Sequence, residues 1–192
     1  MELLVRADAW LFHLINWQGR NLLFDWLMPV VSDLKVFRFP LLLIALWLVV
    51  WGGRKGRTLL VFLIAAVAVS DLFASHLVRE FFARSRPCWS LDEVRLLVSC
   101  RNTYSFPSAH GANMAVCGVL ISLFYPRWRG PAALAVLLVG YSRVYLGVHY
   151  PADVLAGILL GTTLGMLMYA LALPVFEKNV WERGTQANRS ST

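Results

Sequence analysis

Apolar residues fall in long runs along this chain, and its polar residues gather where the runs end. Within residues 3–17, Leu3, Leu4, Leu11, Leu14 and Ile15 are interspersed with Arg6, Asp8 and His13, and Trp10 and Trp17 suit the headgroup level of a bilayer. That pattern predicts an interfacial helix. Residues 22–31 are too few to span and include Asp25 and Pro29, which predicts a second interfacial or re-entrant piece. Residues 37–51 form a strongly apolar first span, followed by a basic turn, Gly52-Gly53-Arg54-Lys55-Gly56-Arg57. A second span covers residues 58–82, a polar loop 87–107, a third span 108–125 and a second basic turn 126–131. The fourth span covers 132–147 and the fifth 151–173, with Pro151 suited to a first helical position. The polar residues 177–192 are expected to fray. The expected fold is all-α, an integral-membrane helical bundle of about five or six transmembrane helices behind an N-terminal interfacial helix.

Composition supports a membrane setting. The 192 residues are 58% hydrophobic and 15% charged, with a mean hydropathy of +0.61. That is more apolar surface than one soluble domain of this length hides. The first apolar stretch is interrupted by Arg6 and Asp8 and lacks a small-residue cleavage site, so no cleavable signal peptide is expected. A net charge of +7 raises the question of nucleic acid. The arginines, however, sit at the ends of apolar runs, and the aromatics lie within those runs instead of among the basic residues, so no nucleic-acid partner is expected. The bilayer and its anionic headgroups are the expected partners. Cys88, Cys100 and Cys117 have no close-spaced Cys/His partners, which excludes a zinc-type cluster and leaves no metal expected. Cys117 reads as core. Cys88 and Cys100 bracket the polar loop, where a disulfide is possible if the loop faces an oxidising compartment.

Span parity brings the end of the second span, the loop before the third and the junction of the fourth and fifth to one membrane face. The shortest loops, carrying Arg54, Lys55, Arg57, Arg127 and Arg129, lie on the opposite face and are assigned to the cytoplasm. Three clusters share the first face: Arg79-x6-Arg86-Pro87, Pro107-Ser108-Ala109-His110, and Ser142-Arg143-x5-His149-x3-Asp153. Arg79, Arg86 and Arg143 offer permanently charged forks that match phosphate oxygens. Ser108 opens the third helix, where its hydroxyl and the amides of Ala109 and His110 add donors at the positive end of a helix dipole. A histidine nucleophile needs one ring nitrogen free and the other held as N–H. His149 with Asp153, placed in the first turn of the next helix, meets that need. His110 is positioned to protonate a leaving oxygen and later to activate water. Taken singly, each of these residues reads as a snorkelling arginine, an interfacial histidine or a helix cap; their joint occurrence on one face points to phosphoryl transfer.

Other polar positions are less committed. Asp71, Ser75 and Arg79 recur every four residues, so Asp71 is a candidate support for Arg79. His76 and His13 read as structural and headgroup-level residues. Gly157, Gly161 and Gly165 read as a close-packing stripe.

With these clusters in hand, the chain resembles the type-2 phosphatidic acid phosphatase superfamily across roughly Arg79 to Asp153. It departs from the usual family pattern at Arg79, where Lys is commoner, and at Ala109, where Gly is commoner. Arg79 keeps the charge but changes its reach, and Ala109 keeps the amide. The resemblance implies that His149 is the nucleophile of a phosphohistidine mechanism, Asp153 its partner and His110 the general acid. It also implies that Arg79, Arg86, Ser108, Ala109 and Arg143 bind phosphate without a metal or other cofactor. Residues 1–176 then form a single membrane phosphatase domain followed by a tail. Short bacterial members act on undecaprenyl diphosphate or phosphatidylglycerophosphate, so a lipid phosphate or diphosphate is the expected substrate, with undecaprenyl diphosphate preferred and phosphatidate or lipid A phosphate as alternatives. The same resemblance implies a bacterial inner membrane with the site facing the periplasm, where a Cys88–Cys100 disulfide is chemically reasonable. A phosphotransferase would share every one of these residues, whereas a binding protein, a transporter or a vanadium peroxidase fits them less well. The sequence sets no oligomeric state.

Overall fold

The computed structural model describes the backbone of residues 2–189 and the side chains of residues 2–174. Among the described residues the chain is helical with no strand. Helix α1 spans Glu2–His13 and runs into a π-helical turn at Leu14–Gln18, and α2 spans Leu22–Ser32 behind an Asn21 cap whose side chain accepts from the Phe24 amide at 2.9 Å. Helix α3 (Leu34–Val50) starts three residues earlier than the hydropathy pattern predicts, because Asp33 caps it by accepting from the Lys35 amide.

The first basic turn is tighter than expected. Helix α4 begins at Gly53, so Arg54, Lys55 and Arg57 occupy its first turns, and the reversal is confined to Trp51 and Gly52. The α4 helix (Gly53–Leu72) continues without a break through a π-helical turn at Phe73–Val78 into α5 (Arg79–Phe82), which ends at Ala83 in the left-handed conformation. A short α6 (Pro87–Ser90) opens the polar loop. Helix α7 (Ala109–Phe124) is capped by Ser108, α8 spans Arg129–Tyr145, and α9 starts at Pro151. The polar tail departs from expectation: α9 is helical through Arg189, past Pro174, which has no amide proton to donate.

The bundle core is built on α7, which packs against α4, α8 and α9. Its tightest seam is with α9, where the predicted glycine stripe removes side chains at the crossing: a Cβ on Gly161 would lie 2.1 Å from the Ala112 carbonyl oxygen. At the end remote from the polar loop, Leu59, Ala66, Val116, Leu120, Phe124, Leu164 and Ala172 form an apolar core, and Cys117 packs against it. The outward faces of α3, α4, α8 and α9 expose Leu42, Ile44, Val61, Ile64, Leu137, Leu159 and Leu167. Continuous exposed apolar surface of this kind is stable against lipid chains, not water. Gly53–Ser90 and Pro151–Pro174 each contain a stretch long and apolar enough to cross a bilayer.

Helices α1 and α2 lie against the same end of the bundle as the polar loop. Asn16 is wholly buried; its side chain donates to the carbonyls of Tyr145 (2.8 Å) and Arg95 (2.9 Å) and accepts from the Arg95 amide (2.9 Å). Arg95 pairs with Asp25, whose carboxylate also accepts from the Tyr145 hydroxyl. These contacts tie both N-terminal helices and the polar loop to the end of α8.

Candidate active site

Four chain segments meet at this end: the exit from α5, the start of α7, the end of α8 and the start of α9. The join is made by backbone as well as side chains. The Ser108 amide donates to the Asp153 carbonyl at 2.9 Å, and Ser105 donates to the Arg84 carbonyl through its amide (2.7 Å) and its hydroxyl (3.1 Å). Gly147, at φ +82°, turns the chain after α8; a Cβ there would lie 2.7 Å from the Arg95 carbonyl oxygen. His149 follows two residues later and is buried to 3% exposure.

Arg86 is buried at the centre. Its Nε donates to the Thr103 carbonyl at 2.7 Å, its Nη2 to the Thr103 hydroxyl at 3.0 Å, and its Nη1 to the Val148 carbonyl at 2.9 Å. The same Nη1 lies 3.2 Å from His149 Nε2. A guanidinium can only donate, so this contact is favourable when Nε2 carries a lone pair and the ring proton sits on Nδ1. Burial, joined by the charge of Arg79 and opposed by Asp153, brings Arg86 down to about 10, which leaves it charged at neutral pH.

His149 Nδ1 faces Asp153 Oδ2 at 3.6 Å. The sequence predicts a direct hydrogen bond here, and the structure gives a longer contact between the ring and the carboxylate instead: Nδ1 is buried with no hydrogen-bond partner. The reason is that Asp153 is already engaged. Its Oδ2 accepts from the Tyr150 amide at 2.9 Å, and its Oδ1 accepts from Arg84 Nη1 at 2.7 Å. Burial is the main force on the His149 ring; Asp153 opposes it, Arg86 and Arg143 reinforce it, and the pKa is held down to about 4. The imidazole is therefore neutral at physiological pH.

Ser108 is wholly buried and caps α7 by accepting from the Gly111 amide at 3.3 Å. Ala109 and His110 form the first turn, both partly exposed. Arg143 comes from the last turn of α8 and donates through Nη1 to Ser32 Oγ on α2, while its Nε is buried without a partner. Arg79 is partly buried, and its Nε is also unpartnered. Asp71 is hydrogen-bonded to Ser75 (3.2 Å) and Asn113 (3.4 Å), not to Arg79. The π-helical turn between them inserts extra backbone per turn and shifts Arg79 off the face predicted for it, so Asp71 acts on it only through space. Cys88 and Cys100 are bonded to each other, with their Cα atoms 6.5 Å apart.

Three contributors escape the sequence reading. Arg84 bridges Asp153 Oδ1 (2.7 Å) and Asp8 Oδ2 (2.6 Å), and its guanidinium lies 4.0 Å from the centre of the Tyr150 ring. Burial works against its charge, but the two carboxylates outweigh burial and raise its pKa above the ordinary arginine value. Asp8, on the interfacial helix, also accepts from the Ala152 amide at 2.9 Å, so α1 is fastened directly to the first turn of α9. Ser32 is the third, as the partner of Arg143. The Arg84-Ser85-Arg86 pair and the acidic Asp8 in a largely apolar helix are the local signals of these roles.

A helical membrane protein whose bundle carries, at one end, a buried neutral histidine set among arginines offers a site of positive charge that suits an anion. Residues 56–176 match the PAP2 superfamily, and the chain belongs to it. It is 34% identical to the undecaprenyl-diphosphatase of Sulfolobus acidocaldarius over 64% of this chain and 58% of that protein. It is 30% identical to the bacitracin transport permease protein BcrC of Bacillus licheniformis over 82% of this chain and 77% of that one. The crystal structure of Aquifex aeolicus LpxE superposes with a TM-score of 0.68 at 27% identity, covering 84% of this chain and 94% of that one. The chain thus spans less than two thirds of the Sulfolobus enzyme but nearly the whole of the LpxE structure.

Proposed function

We propose that this protein is a membrane lipid phosphate and diphosphate phosphohydrolase that acts through a phosphohistidine on His149, with undecaprenyl diphosphate as its preferred substrate. The observation that carries the reading is the setting of His149: neutral, with Nε2 directed at Arg86 and Nδ1 directed at Asp153. Nε2 attacks the terminal phosphorus while Arg79, Arg86, Arg143 and the α7 amides at Ala109 and His110 take up charge on the non-bridging oxygens, with Ser108 holding the helix start in place. The free Nε atoms of Arg79 and Arg143 gain acceptors when a phosphate enters, which removes the cost of leaving them unpaired. The P–O bond to the lipid breaks and His110 gives its proton to the departing oxygen; the negative phosphate beside it favours the protonated ring. His110 then takes a proton from water, which attacks the P–N bond, and inorganic phosphate leaves with His149 neutral again. Arginines supply the positive charge that phosphoryl transfer requires, so the reaction proceeds without a metal.

The diphosphate preference draws support from relatives named undecaprenyl-diphosphatase; lipid A 4'-phosphatases among the relatives make lipid monophosphates the alternative. In this reading α3, α4 with α5, α7, α8 and α9 are five membrane spans within one domain of residues 1–176. The short loops with Arg54, Lys55, Arg57, Arg127 and Arg129 face the cytoplasm, and the site, with its disulfide-closed loop, faces the periplasm. Transport without chemistry, which the name of the Bacillus licheniformis relative raises, has no use for a buried histidine oriented between Arg86 and Asp153.

Phosphate release from matched lipid phosphates and diphosphates, in detergent with chelator present, tests the activity, the substrate and metal independence together. Release of inorganic phosphate from undecaprenyl diphosphate is expected. Formation of a phosphorylated acceptor with no inorganic phosphate overturns the hydrolase reading in favour of a phosphotransferase.

A further inference from the structure

Arg101 belongs to none of the three sequence clusters, yet the loop fixes it on both sides. Cys100, just before it, is bonded to Cys88, which follows Arg86-Pro87 directly. Thr103, just after it, accepts two hydrogen bonds from Arg86. The Arg101 carbonyl itself accepts from Trp89 Nε1 at 3.4 Å. Its side chain is exposed and, among the described residues, forms no ion pair with a carboxylate. Its charge nonetheless acts on Arg79, Arg86, Arg143 and His110. The strongest cationic influences on His149 are different, namely Arg86 and Arg143. Arg86 reaches Thr103 with Nε and Nη2 and His149 with Nη1, so the exposed Arg101, two residues before Thr103, lies at the mouth of the arginine cradle and the buried His149 at its inner end. Like charges held this close repel one another, and the arrangement becomes more favourable when an anion lies among them.

We propose that Arg101 binds the second phosphate of a diphosphate substrate, the one that carries the lipid and departs, and so selects lipid diphosphates over lipid monophosphates. The proposal rests on the reading of His149 as nucleophile and of a diphosphate as substrate. With the terminal phosphorus against His149 Nε2, in-line displacement puts the bridging oxygen on the far side of that phosphorus, toward His110. The second phosphate then projects toward the mouth, beyond the reach of the inner arginines, where the Arg101 fork matches its oxygens. A monophosphate places only an ester oxygen and an apolar chain there.

The test compares the full-length purified chain with Arg101→Gln and Arg101→Lys on farnesyl diphosphate and farnesyl phosphate, with inhibition by inorganic pyrophosphate and inorganic phosphate as a second readout. Losing a charge-assisted contact lowers kcat/KM of Arg101→Gln for the diphosphate by about ten-fold or more, chiefly through KM, and weakens pyrophosphate inhibition in step. Turnover of the monophosphate and inhibition by phosphate change by less than about two-fold, which also shows that the variant is folded. Arg101→Lys retains part of the selectivity, because it keeps the charge and loses the fork. Equal losses on both substrates indicate general electrostatic attraction and overturn the proposal. If the wild type hydrolyses the diphosphate and Arg101→Gln does so equally well, only the role of Arg101 falls; if the wild type hydrolyses the monophosphate and not the diphosphate, the substrate reading falls with it.

Discussion

Replacing Arg84 by Met removes a cation that two carboxylates share while keeping much of the apolar stem. Asp153 is completely buried and the Asp8 side chain is 10% exposed, so both are left without their principal counter-ion. Breaking a buried ion pair from one side costs about 3–5 kcal/mol. The Arg84 side chain is 27% exposed, which places the expected loss at the lower end, about 3 kcal/mol, or a fall in Tm of about 10 °C for a chain of this length. Adding Asp8→Asn should recover part of that loss, because one uncompensated charge is then gone. Activity gives a second readout that a merely structural role leaves alone. Without Arg84, the Asp153 charge acts unopposed across the 3.6 Å to His149 and favours the imidazolium. The His149 pKa then rises from about 4, and since the proposed nucleophile must be neutral, the acid limb of kcat/KM moves to higher pH. A change of about 1.4 kcal/mol in the His149–Asp153 interaction moves the limb by about one pH unit. Thermal unfolding in detergent and a pH–rate profile check both outcomes. A Tm within about 2 °C of wild type together with an unmoved acid limb refutes the reasoning.

Two further outcomes follow from burial and close packing. Gly161→Ala places a methyl group 2.1 Å from the Ala112 carbonyl oxygen, so the α7–α9 seam must separate; a loss of about 3 kcal/mol or more in stability is expected by thermal unfolding, and wild-type stability contradicts the assigned seam. His149 links stability to pH: its pKa falls from 6.5 to about 4 on folding, so below pH 6.5 the unfolded chain binds a proton that the folded chain refuses. Stability contributed by the buried neutral ring is full above pH 6.5, declines as pH falls toward 4 and then levels, a span of about 3 kcal/mol. Comparing wild type with His149→Gln across that window isolates the residue, and parallel curves contradict the burial effect.

Much of the bundle is legible in the sequence, because lipid-facing helices are marked by uninterrupted apolar length and helix ends by Pro151, Ser108 and Gly147. The candidate site is legible for the same reason: Arg86, Ser108, Arg143, His149 and Asp153 lie at or beside helix ends that span parity brings to one face. What escapes is contact between distant segments. Arg84 meets Asp153 across 69 positions and Asp8 across 76, and no periodicity within one helix encodes such pairs. The relation of Asp71 to Arg79 fails for a local reason, since four-residue spacing assumes α-helical geometry and the chain winds a π-helical turn there. Polarity predicts a frayed tail, yet α9 continues through Arg189, because the backbone hydrogen bonds of a helix do not depend on burying its side chains.

The covalent step proposed at His149 is tested by looking for the phosphorylated residue. The purified chain is mixed with a lipid diphosphate, quenched in alkali, where phosphohistidine survives and acyl phosphate does not, and mapped by peptide mass spectrometry. One phosphoryl group is expected on His149, and none in His149→Ala, which also loses phosphate release. Turnover close to wild type in His149→Ala, or a phosphoryl group on a different residue, contradicts it.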